Sequence, residues 1–230
     1  MRFESVCVVG AGRVGKAVAA RLAERIATRV AGRELECGDA ELVLLCVPDG
    51  AIGEIAPRIP AGPWIAHTSG ACRLEALSPH ARRFSLHPLQ TFTLERGPEQ
   101  LDGAWAAVSG ADPDAEATGF ELARLLGLEA FTLPDEHRPL YHAGATVAAS
   151  FLVTLHSAAA ELFAAAGAPA AALEPLMRRT IENGFVSTGP HVRGDWATVE
   201  GHVEAIREHR PALEPLYRLL SEATADSVAS

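Results

Sequence analysis

The sequence predicts two halves of different class: an α/β half, residues 1–134, on a mostly parallel sheet, followed by an all-α half, residues 135–230. Three observations predict this. Short apolar runs alternate with loops and helices through the first half, the pattern of a parallel sheet flanked by helices. A glycine-rich turn, Gly10-Ala11-Gly12-Arg13-Val14-Gly15, follows the first run directly. From about Asp135 apolar residues recur at helical spacing and alanine dominates.

The runs that predict strands are Val6–Val9, a weaker one near Thr28–Ala31, Leu42–Val47, Trp64–His67, Phe84–Leu86, Ala106–Val108 and Ala130–Leu133. Leu42–Val47 is continuously apolar, as a strand covered on both faces should be. Only about nine residues, Glu34–Leu42, separate the second run from the third. That is short for a crossover carrying a helix, so a loop is expected there. In the second half the spacing predicts helices over Pro139–Ala166, Ala170–Asn183, Trp196–Glu208 and Pro211–Ala225. Gly167 and Gly184 stop the first two, and Leu213, Leu216, Tyr217 and Leu220 form an apolar stripe on the last.

The turn at 10–15 is G-x-G-x-x-G between a strand and an amphipathic helix, the setting that makes it a dinucleotide fingerprint and the first half a Rossmann domain. Gly10 permits the tight turn, Gly12 lets a diphosphate approach the backbone, and Gly15 lets the helix pack closely. The free N–H groups of that helix, near Arg13 and Val14, then face the phosphates. The second strand decides the cofactor. NAD binders carry an acidic residue at its end, whereas a 2′-phosphate needs a cation. Thr28-Arg29-Val30-Ala31-Gly32-Arg33 offers no acid before Glu34, so Arg33, with Arg13, is read as a phosphate clamp and the cofactor as NADP, with NAD possible. Two solvated arginines are the plainer alternative.

Net charge is −9 with scattered basic residues, which excludes a nucleic-acid surface. No run of about 18 uninterrupted apolar residues exists, so no membrane-spanning helix is predicted. The N-terminus enters a strand without a leader-like segment, so a cytoplasmic protein is expected. Cys7 and Cys46 lie in predicted strands as small core residues, Cys37 and Cys72 in loops, and no C-x-x-C argues for a zinc or redox site.

Strand ends carry the remaining candidates, because ligands of open α/β sheets lie beyond the carboxyl ends of strands. Pro48 and Asp49 end the third strand and border the cofactor, although Asp49 is read first as the cap of a helix near Ala51. Thr68 and Ser69, after His67 and before Gly70, can line a nicotinamide carboxamide. His87, fixed before Pro88, suits a proton donor or substrate ligand; a buried histidine is the alternative for His67 and His87 alike. On the long helix His142, Thr146 and Ser150 stand at i, i+4 and i+8, a polar face suited to a wet cleft or to a helix–helix hydrogen bond. In the loop Thr188–Asp195, Arg193 can bind a carboxylate at two points and Asp195 can cap the helix at Trp196. An Arg193–Asp195 ion pair holding the loop is the alternative.

Gly-Ala-Gly-Arg-Val-Gly at 10–15, Val-Pro-Asp at 47–49, His-Thr-Ser-Gly at 67–70, Leu-His-Pro-Leu-Gln-Thr-Phe at 86–92, Tyr-His at 141–142 and Thr-Gly-Pro-x-x-Arg-Gly-Asp at 188–195 occur in this order. Together they resemble the Rossmann-like proteins with a C-terminal helical domain of unknown function, kin of 6-phosphogluconate dehydrogenase and pyrroline-5-carboxylate reductase. The resemblance implies a homodimer through the helical domain and an NAD(P)-dependent oxidoreductase. Some members are thought to reduce small oxo acids such as ketopantoate. The chain departs from the pattern in having Ser150 where the family tends to show asparagine, and Lys16 is its only lysine. The expectation is therefore an NADP-dependent reductase of a small polar carbonyl or imine. His142 is its first-choice acid and His87 the second, while Ser150, Thr146, Arg193 and Asp195 contact substrate. A nucleotide-binding sensor that has kept the fold without turnover is the rival class, and a reductase using a further hydride carrier is a third.

Overall fold

The computed structural model describes residues 3–229. All seven expected strands form one sheet: β1 (Ser5–Val9), β2 (Ala27–Ala31), β3 (Leu42–Leu45), β4 (Trp64–His67), β5 (Arg83–Leu89), β6 (Trp105–Gly110) and β7 (Glu129–Thr132). Their order is β2-β1-β3-β4-β5-β6-β7. Every neighbouring pair is parallel except β5–β6, which is antiparallel with His87 opposite Ala107.

Side chains alternate across the sheet as strand geometry requires. Val6, Val8, Leu42, Leu44 and Ala66 join one core layer; Cys7, Val9, Val43, Leu45 and Ile65 join the other. The first layer is closed by α1 (Arg13–Ala23) and α3 (Pro113–Leu126) through Val18, Leu22, Leu122 and Leu126. The second is closed by α2 (Asp49–Ile55), by short 3₁₀ turns and by the β2–β3 connection. That connection holds no helix, as its length predicts; Leu35, Cys37 and Ala40 cover the sheet instead.

A disulfide between Cys7 and Cys37, with Cα atoms 5.2 Å apart, fastens this loop to β1. Cys7 is a fully buried core residue, as its strand position predicts, but it is also cross-linked, which the sequence reading did not expect. The two lie 30 residues apart in sequence, and only the fold of the loop over β1 brings them together. Cys46 and Cys72 are free.

The chain divides into two compact units, Met1–Thr146 and Val147–Ser230. The division falls inside the long helix, which runs as α4 (Arg138–Thr146), a π-helical turn at Val147–Phe151, and α5 (Leu152–Ala165). The second unit continues with α6 (Leu173–Glu182), α7 (Trp196–His209) and α8 (Glu214–Ala229), close to the predicted helices. Its buried residues are few, among them Leu173, Val199, Val203 and Ile206. Val147, Phe151 and Val153 are 58%, 54% and 67% exposed. The helical stretch Asp135–Ala165 is also long and apolar enough to cross a membrane, by length and composition only. No unbroken apolar run marks it in the sequence, because polar residues such as Thr146, Ser150, Thr154 and His156 interrupt it.

Candidate active site

The sheet order changes direction at β1, with β2 on one side and β3 on the other, and the turns after β1 and β3 flank the resulting crevice. The glycine turn is shaped as its sequence suggests. Gly10 has φ +106°, and a Cβ there would lie 2.4 Å from the Cys46 carbonyl oxygen. A Cβ on Gly15 would meet the Gly10 carbonyl, so Gly15 is needed for the helix to close on the turn itself. Gly12 differs, because a Cβ there would have nothing within 4 Å. It is the N-cap of α1 and no side chain caps that helix. The first-turn N–H groups therefore border open space, a cradle that fits a diphosphate.

A cavity of ≈ 390 Å³ opens beside this cradle. Gly12, Arg13, Val14, Pro48 and Asp49 line its phosphate end; Thr68, Ser69, Gly70, His87 and His142 line the other. A second cavity of equal volume lies near Glu41, Trp64 and Arg82, at the opposite ends of the strands, away from the glycine turn and these histidines. Arg33 is exposed on the loop after β2, where its carbonyl accepts a bond from Arg58.

Several sequence readings change here. α2 begins at Asp49, with Pro48 as N-cap and no side-chain cap bond, so Asp49 is not a cap but a residue lining the cavity. The Ser69 hydroxyl accepts from the N–H groups of Ala71 and Cys72, which ties it into its own turn. His67 is buried, with no hydrogen-bond partner within good geometry for either ring nitrogen among the described residues, and does not line the cavity. Burial first, and the Arg138 charge second, push its pKa down to about 3.

The Thr146 hydroxyl donates to the His142 carbonyl. Ser150 is exposed in the π turn, so the uniform α spacing that aligned it with His142 and Thr146 does not hold. In the second unit Asp195 caps α7 by accepting from the Thr198 N–H and hydroxyl. Arg193 donates to the Thr188 carbonyl at 2.7 Å rather than pairing with Asp195.

Two further residues shape the site: Arg138, which the sequence reading did not single out, and Tyr141, which it read only as part of the Tyr-His motif. Arg138, fully buried, donates to the carbonyls of Ser69 and Gly70 and to the hydroxyls of Ser85 and Ser109. Its Nε stands 3.2 Å from the Asp135 carboxylate, which in turn accepts from the Leu74 N–H. This buried charge fastens the Ser69–Gly70 turn to β5, β6 and the start of α4. The second is Tyr141, whose hydroxyl lies 2.8 Å from His87 Nδ1. Burial raises its pKa to about 12. Burial first, then the neighbouring His142 and Arg138, lowers His87 to about 4. His87 and His142 meet edge to face, with ring centroids 6.1 Å apart. A Cβ on Gly70 would lie 2.6 Å from His142 Cδ2 and 2.9 Å from His87 Nε2, so the gap between the imidazoles requires glycine.

The family model for a domain of unknown function, DUF2520, matches residues 104–224. No curated protein matches the chain. Among solved structures, a Bacteroides fragilis protein to which NADP oxidoreductase activity is ascribed superposes with TM-score 0.82 at 19% identity, covering 98% of this chain and 99% of that one. A Thermotoga maritima protein gives 0.78 at 22%, covering 97% and 98%. A reductive aminase from Aspergillus terreus, in complex with NADPH and ethyl levulinate, gives 0.65 at 19%, covering 97% and 94%. At these identities the likeness is one of fold, an oxidoreductase-like Rossmann domain followed by helices.

Proposed function

The chain belongs to the DUF2520 family, and from that premise we propose that it is an NADP-dependent reductase of a small polar carbonyl or imine. The observation that carries the reading is one cavity bounded by an uncapped helix N-terminus with open space at Gly12 and, at its other end, by two imidazoles meeting edge to face. NADPH, when bound, supplies the hydride. The α1 N-terminus would hold the diphosphate through backbone N–H groups, and Arg13 and Arg33 would take the 2′-phosphate. His142 would deliver the proton to the reduced oxygen or nitrogen, and His87 would orient that atom. The residues around Gly70, fixed by Arg138, would limit what fits between the imidazoles.

The same reading makes the protein a cytoplasmic homodimer. Support for the second copy comes from the exposed Val147, Phe151 and Val153 of the helical unit, apolar surface that association would cover.

Calorimetric titration tests the reading. NADPH should bind about tenfold or more tightly than NADH, and Arg33→Ala should narrow the difference. Against a panel of small oxo acids and imines, His142→Ala should lower turnover about 100-fold while leaving NADPH affinity in place. Absence of nucleotide uptake at millimolar concentration would end the proposal, and uptake without oxidation across the panel would favour a sensor. Light scattering on the same sample should give twice the chain mass.

A further inference from the structure

We propose that Tyr141 holds His87 in a single tautomer, with Nδ1 as acceptor and the Nε2–H presented to the cavity. His87 is thus a fixed, neutral hydrogen-bond donor for a carbonyl oxygen or imine nitrogen. The ligand class rests on the reductase reading; the tautomer does not.

The geometry comes first. Tyr141 is wedged between His87 and Phe131, in edge contacts with ring centroids 5.6 Å and 6.0 Å away, so its hydroxyl has one place to be. Among the described residues that hydroxyl has no hydrogen-bond partner except His87 Nδ1. An imidazole nitrogen accepts better than a phenol oxygen, so the phenol donates and Nδ1 receives. The single proton of the neutral ring is then on Nε2. That atom borders Gly70 and the cavity, and no protein group bonds it among the described residues. The alternative tautomer would leave the phenol proton without a protein acceptor in a half-buried position.

Charged and titratable groups face His87 from every side. His142 and Arg138 on α4 oppose its protonation, and Asp49 on α2 favours it; His87 in turn opposes protonation of His67 on β4, which stays neutral. Burial and the two α4 groups outweigh Asp49. Tyr141 is a positioning residue in this scheme, acting on the substrate only through His87.

The test is long-range ¹⁵N–¹H NMR of the imidazoles in the ¹⁵N-labelled full chain at pH 7, with His87 assigned by loss of its signals in His87→Gln. His87 should show Nε2 protonated and Nδ1 bare. Tyr141→Phe should shift the Nδ1 resonance as its bond is lost, with circular dichroism verifying the fold. Replacing both tyrosines by 3-fluorotyrosine, a stronger donor, should shift Nδ1 the other way and needs no change of shape. A proton on Nδ1, or a His87 spectrum indifferent to both changes at Tyr141, overturns the inference. Either result stands apart from nucleotide binding, so this claim and the reductase reading fail separately.

Discussion

The chain contains two tyrosines, and each hydrogen-bonds the Nδ1 of a histidine. Tyr141 meets His87 at 2.8 Å with rings nearly perpendicular; Tyr217 meets His202 at 2.7 Å in almost the same pose. The surroundings differ. Tyr217 and His202 join α8 to α7 at the surface of the helical unit, where His202 is exposed and water can take its place beside the partly buried Tyr217. Tyr141 and His87 share their space with the buried Arg138, with His142 and with a cavity. Burial raises the Tyr141 phenol to about 12 and lowers the His87 imidazole to about 4. Both therefore stay neutral across the physiological range. The same two side chains make a replaceable surface tie in one place and an enforced donor geometry in the other. The environment decides which.

The largest expected effect comes from removing what makes the buried setting unusual. Arg138→Leu leaves Asp135 without its cation and frees the Ser69 and Gly70 carbonyls, so it should cost about 3–5 kcal/mol in chemical denaturation. A cost under about 1 kcal/mol would mean that the guanidinium does not organise the turn.

Acid is the next test. His67, lowered from an ordinary 6.5 to about 3, stays neutral in the fold, while the unfolded chain takes up a proton below about 6.5. Its contribution to stability is complete above that pH and falls as pH drops toward 3, by up to about 1.4 kcal/mol per pH unit. Urea titrations at pH 7 and pH 5 should show the loss, and His67→Gln should flatten the slope. A pH-independent midpoint in the parent protein would contradict it.

The smallest effect compares the two pairs directly. Tyr141→Phe should destabilise by about 1–2 kcal/mol, because Nδ1 loses its partner in a half-buried place. Tyr217→Phe should cost less than about 0.5 kcal/mol. Equal costs in thermal melts would erase the contrast.

What could be read beforehand follows the same division. Strands such as Leu42–Leu45 and the helices of the second half announce themselves through local apolar patterning, and the glycine turn through residue types at fixed spacing. Arg138 was invisible because its role depends on β5, β6 and the Ser69–Gly70 turn converging on one guanidinium. Nothing in the neighbouring letters encodes that convergence. The Cys7–Cys37 bond and the antiparallel β6 are long-range in the same sense. Asp49 was misread because a proline can begin a helix without help from a side chain, which left Asp49 to line the cavity. The Ser150 alignment failed because a π turn has no signature in spacing alone.

The bare β2–β3 connection has one more consequence. Most dinucleotide folds mount the adenosine-facing residues on a strand whose following helix is part of the core, so changing them disturbs packing. Here Gly32–Glu36 hangs between a strand paired to β1 and the Cys7–Cys37 bond, with both ends moored independently of its composition. Such a segment is an exchangeable cassette. Its exposed residues, Gly32, Arg33, Glu34 and Glu36, can be rewritten, by evolution or by an engineer, while Leu35 keeps the sheet beneath covered.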